Sequence, residues 1–139
     1  MSIFYELIDH TGDVGILVRA SSIAELFVNC ALAMMDIITN REEVKDSLTR
    51  PIEVNGLDDE DLLVRWLSEI NFCLTTYGEL YKDFNIEVIE NNHIKGTAKG
   101  ELYDKSRHEL NTEIKAVTYH GLYVKKNNGG YEARVIFDI

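Results

Sequence analysis

Apolar positions recur at three- and four-residue spacing in two stretches of this chain, and elsewhere they alternate or gather in short β-branched and aromatic runs. The first stretch holds Ile23, Leu26, Phe27, Cys30, Met34, Ile37 and Ile38. That spacing predicts a helix with one face buried over about four turns. Ser22 and Glu25 form a capping-box pair, in which each side chain satisfies a free backbone N–H of the first turn, and Asn40 marks the far end. The second stretch holds Leu62, Leu63, Trp66, Leu67, Ile70, Cys73 and Leu74. Asp58 is its N-cap, the acids at 59, 60 and 61 complement the positive end of the helix dipole, and Gly78 stops it.

The remainder reads as strands. Residues 5–8 and 14–19 flank a Thr-Gly-Asp turn signal and predict an opening pair, and residues 48–54 alternate as a strand in which Pro51 requires an edge or a first position. Strands are also predicted over 84–90, 94–99, 114–124 and 131–137, with Asn91-Asn92 and the Asn127 to Gly130 cluster as turns. The polar stretch 103–111 is expected to be an exposed loop. Two helices interrupting a strand-rich chain predict an α+β layered fold, with two amphipathic helices packed on a mixed or antiparallel β-sheet. At 139 residues, without repeats or low-complexity tracts, residues 1–139 are expected to form a single domain.

Charge narrows the class of partner. Fourteen basic against 24 acidic residues give a net charge of −10, which repels phosphate backbones and favours a basic protein partner over direct nucleic-acid binding. The N-terminus lacks the basic and apolar regions of a signal peptide and no apolar run is long enough to span a bilayer, so a cytoplasmic location is expected. Cys30 and Cys73 fall in the helical apolar patterns and are read as core thiols, not as a disulfide.

Chemistry gathers at the ends of the chain. Asp138 lies beside the terminal carboxylate of Ile139, and Asp13 follows His10-Thr11-Gly12. Chain termini often lie close together, and if these meet, three hard oxygen donors could hold one divalent cation in a site that a C-terminal extension would disturb. The plainer alternative makes these acids caps, turn formers or solvated charges. On an unbroken strand, Glu113, Lys115, Val117 and Tyr119 share one face, and Ile114, Ala116, Thr118 and His120 the other. Lys115 is then either a snorkelling lysine or a cation held near Asp13 and Asp138 or offered to a partner. His10 and His120 are most simply hydrogen-bonded structural imidazoles. No Cys-x-x-Cys, His-x-x-x-His, phosphate-binding glycine loop or Gly-x-Ser-x-Gly elbow is present, so structural zinc, nucleotide binding and a serine nucleophile lack support. A metal-dependent phosphoesterase or nuclease, with Asp13 and Asp138 on the metal and His120 as acid or base, is the alternative enzyme reading.

The segments Tyr5 to Ile16, Asp61 to Glu69, Glu113 to His120 and Val135 to Ile139 resemble, in that order, the motifs of the archease family. The likeness covers essentially the whole chain. It implies an accessory protein, not an enzyme, that activates the GTP-dependent RNA ligase of tRNA splicing by promoting its guanylylation and turnover. It further implies a divalent cation, calcium, held by Asp13, Asp138 and Ile139, and a role in ligase activation for Asp13, Lys115 and Asp138. One departure is visible, since the family usually has Ala where this chain has Gly12.

Overall fold

The structure, a computed structural model, describes residues 5–10 and 12–139, the side chains of Asp9 and His10 excepted. Among the described residues the elements run β1 (Tyr5–His10), β2 (Asp13–Ala20), α1 (Ile23–Ile38), a 3-10 turn (Arg41–Glu43), β3 (Leu48–Asn55), α2 (Asp59–Tyr77), β4 (Glu79–Glu90), β5 (His93–Leu102), β6 (Ala116–Asn127) and β7 (Gly130–Asp138). The strands form two sheets, of order β1-β2-β7-β6 and β3-β5-β4. Every pairing between named strands is antiparallel, so the expected α+β layering holds with antiparallel sheets and no parallel pair among the described strands. Pro51 lies in β3, an edge strand, where a missing ladder donor is tolerated.

Each helix touches both sheets: α1 packs on β2 and β7 and on β4, while α2 packs on β6 and on β3, β4 and β5. For α1 this corrects the expectation of one buried face. Asn29, Cys30, Ala31, Leu32, Ala33, Met34 and Met35 are all buried, and seven consecutive residues cover the whole helical circumference. The small Ala31 and Ala33 allow this close approach from the side that spacing alone leaves polar.

The caps form as expected, with small shifts. Ser22 Oγ accepts the Glu25 N–H at 3.1 Å, while the Glu25 carboxylate bonds Ser21. α1 ends one residue early, with Thr39 as its C-cap, and Asn40 instead caps the 3-10 turn. Asp58 Oδ1 accepts the Asp61 N–H at 2.8 Å, and Gly78 closes α2 at φ 65°, a left-handed conformation that glycine adopts without a Cβ penalty. β4 starts directly after it, five residues before the predicted boundary, because Leu80 and Tyr81 are buried and already paired with Glu101 and Gly100.

Candidate functional site

Asp13 opens β2 and Asp138 ends β7, and the ladder places them directly opposite each other. Such cross-strand neighbours have Cβ atoms about 4.5–5.5 Å apart. Around them the main chain is tied in two further places. The Ile139 N–H donates to the Gly12 carbonyl at 3.2 Å, and the Lys115 N–H donates to the Asp138 carbonyl at 2.8 Å. The structure thus brings Asp13, Asp138, Ile139 and the Lys115 backbone together. Gly12 has φ +77° and an added Cβ would meet nothing within 4 Å, so conformation, not space, favours glycine there.

Asp13 is half-buried and Asp138 exposed, and among the described residues no basic side chain pairs with either carboxylate. Two like charges placed opposite each other repel. A hard divalent cation suits this donor set, which is all oxygen: two carboxylates and the main chain at Ile139. Thiolate ligation is out of reach, since Cys30 and Cys73 are both buried in the helices. Among the described residues no group of three or more His, Cys, Asp and Glu side chains gathers as a metal cage. The His10 side chain lies outside the described residues.

The two-residue period expected over 113–124 does not hold. β6 begins only at Ala116, and Ile114 and Val117 are both buried, a spacing of three. Lys115 precedes the strand with an exposed side chain, so it shares no sheet face with Val117. Further along, the β6–β7 register breaks between Thr118 and Tyr123, and the residues between, His120 among them, form an exposed or half-buried bulge. Arg134 closes that bulge by donating from Nη1 to the Gly121 carbonyl at 2.9 Å.

α2 runs beside this segment and bonds it at two points. Asn71 Nδ2 donates to the Ile114 carbonyl at 2.9 Å, and the Tyr119 hydroxyl donates to Asp61 Oδ1 at 2.6 Å. Asp61 is therefore more than a first-turn acid. Its other oxygen accepts from Arg65 Nε and from the Leu57 N–H, and its carboxyl is held down at about 2, first by the Tyr119 bond, then by those from Arg65 and Leu57. The Asp61/Arg65 spacing was a readable signal for the ion pair. Nothing in the sequence pattern pointed to Asn71 or to the Tyr119 partner.

The 103–111 segment is not a free loop. His108 is buried, and its Nδ1 accepts the Asp104 N–H at 2.8 Å, which leaves the proton on Nε2 to be shared with Glu101 Oε2 at 2.9 Å. Arg107 bonds the other Glu101 oxygen. Beyond it, the Thr39 hydroxyl donates to the Glu109 carbonyl, and the Asn111 N–H donates to the Ile38 carbonyl at the end of α1. A half-open cavity of about 470 Å³ lies here, lined by Ile38, Leu74, Tyr103, Leu110 and Ile114 among others, and it includes neither Asp13 nor Asp138.

Residues 5–139 match the Archease protein family (MTH1598/TM1083). Curated relatives called protein archease include one from Methanosarcina mazei, 37% identical over 97% of this chain and 95% of its own length. Another, from Methanopyrus kandleri, is 36% identical over 97% of this chain and 99% of its own length. The solution structure of Methanobacterium thermoautotrophicum protein 1598 superposes with a TM-score of 0.84 at 34% identity, over 97% of this chain and 98% of that one.

Proposed function

The chain belongs to the archease family, and we propose on that footing that it is a cytoplasmic accessory protein that activates the GTP-dependent tRNA-splicing RNA ligase. It promotes guanylylation of the ligase and repeated turnover in tRNA exon joining. The observation that carries this reading is the meeting of Asp13, Asp138 and the Lys115 backbone at one place in a chain that matches the family over residues 5–139.

Asp13, Asp138 and the main-chain oxygen of Ile139 hold a divalent cation, which the family resemblance makes calcium and which an all-oxygen donor set suits. Three ligands from the chain leave coordination positions for water or for a group of the partner. The β2–β7 ladder fixes the backbone that carries the two acids, which supports a site organised before the partner arrives. A bound calcium ion supplies a fixed positive charge there. Lys115 adds a second one, since its exposed side chain leaves a fixed backbone. The net charge of −10 steers the protein toward the basic surface of an RNA-binding enzyme.

The test is multiple-turnover ligation by the cognate ligase, with this chain at substoichiometric amounts and calcium present. Stimulation is expected, and its loss in folded Asp13→Asn, Asp138→Asn and Lys115→Ala variants assigns it to this site. No stimulation by a folded, calcium-loaded sample overturns the activator reading. Phosphodiester turnover by the chain alone, abolished in Asp138→Asn, would replace it with the metal-dependent enzyme.

A further inference from the structure

One peptide group, between Ile114 and Lys115, is pinned at both ends. Its carbonyl accepts from Asn71 Nδ2 of α2 at 2.9 Å, and its N–H donates to the Asp138 carbonyl of β7 at 2.8 Å. A peptide plane held at its oxygen and its nitrogen has little freedom to rotate, so the direction in which Lys115 leaves the backbone is set by α2 and β7 together. Four residues on, Tyr119 is held to Asp61 of the same helix at 2.6 Å. Between the two anchors β6 pairs with β7 only at Ala116, Val117 and Thr118 before the register breaks.

We propose that α2 positions Lys115 for ligase activation, through Asn71 behind it and the Asp61–Tyr119 bond ahead of it. The inference rests on the activator reading given above. Asn71 and Tyr119 are positioning residues, which act by fixing the backbone from which the Lys115 side chain leaves, next to the Asp13–Asp138 rung, and need no contact with the ligase. Without the Asn71 bond the Ile114 carbonyl loses its partner, and the segment before β6 is free to swing about the remaining Lys115–Asp138 bond.

Asn71→Asp tests this with little change of shape, because it replaces the donating amide with an oxygen that cannot donate to a carbonyl. Tyr119→Phe is the second variant. It removes only a hydroxyl from a ring that is 58% exposed, so the fold survives even if Asn71→Asp does not fold. For each variant, hydrogen exchange at the Lys115 amide and ligase stimulation are measured at a temperature where the protein is folded. We expect exchange at Lys115 to rise relative to the β2–β7 amides, and stimulation to fall about five-fold, the size of one lost hydrogen bond.

Wild-type stimulation by both variants overturns the inference and leaves the activator reading standing. Reduced stimulation with unchanged exchange at Lys115 also overturns it, since the defect then arises elsewhere. A folded wild-type chain that does not stimulate the ligase overturns the activator reading and this inference together.

Discussion

The indole N–H of Trp66 donates to the Phe27 carbonyl at 3.1 Å and so ties α2 to α1 at the centre of the core. Trp66 is fully buried and packs edge-on against Phe84. Trp66→Ala therefore opens a cavity and removes that bond, at a cost of about 3–5 kcal/mol. Urea unfolding gives the value. Where the variant remains folded, its stimulation of the ligase is expected to match wild type, because the residue lies outside the Asp13–Asp138 site.

Asp138→Asn behaves differently with and without metal. In chelator, removing one of two opposed carboxylates is neutral or stabilises by roughly 0.2–1 kcal/mol. Calcium at 100 times its dissociation constant is expected to stabilise the wild-type chain by about 2.7 kcal/mol, and to leave the variant unmoved. Thermal melts in chelator and in calcium check both halves. An equal calcium-induced shift in the two proteins would place the cation elsewhere.

Acid stability depends on Glu101. The Arg107 guanidinium holds its carboxyl down at about 2 from an ordinary 4.5, with burial opposing and the Lys45 N–H and His108 assisting. A carboxyl that is more acidic in the folded chain stabilises it above the ordinary value, and that contribution is lost as pH falls from about 4.5 toward about 2. Urea midpoints between pH 5 and pH 2.5 should therefore drop more steeply for wild type than for Glu101→Gln. Parallel profiles would show that Glu101 carries no such linkage.

Association with the ligase is expected to weaken as salt rises. A chain of net charge −10 approaching a basic surface is steered by a field that about 0.15 M salt screens beyond about 8 Å. The association rate should fall steeply with ionic strength while the dissociation rate changes little. Stopped-flow binding across a salt series separates the two. A salt-independent association rate would remove electrostatic docking.

Both helices were legible in the sequence because their apolar spacing, caps and stop signals agree, and the hairpins were legible from their Asn and Gly turns. The acids at the candidate site were legible as a concentration of oxygen donors. Their direct opposition was not, because β2 and β7 are remote in sequence and their register depends on a ladder that no local pattern encodes. Lys115 was assigned to a sheet face that does not exist, since β6 starts only at Ala116, while Ile114 is buried and its carbonyl is bonded to Asn71 of α2. His108 escaped notice because its charged neighbours give 103–111 the composition of a solvated loop. The fold uses those same charges to hold the imidazole inside.

The last strand in the sequence is not at the margin of its sheet: β7 lies between β2 and β6. During synthesis, β2 therefore waits for its inner neighbour until β7 itself has been made, and a product shortened before Gly130 would leave bare both the β2 edge and the β6 edge that β7 covers. Such edges recruit strands from other chains. Because the same insertion brings Asp138 opposite Asp13, a truncated product would be sticky and unable to form the site at once.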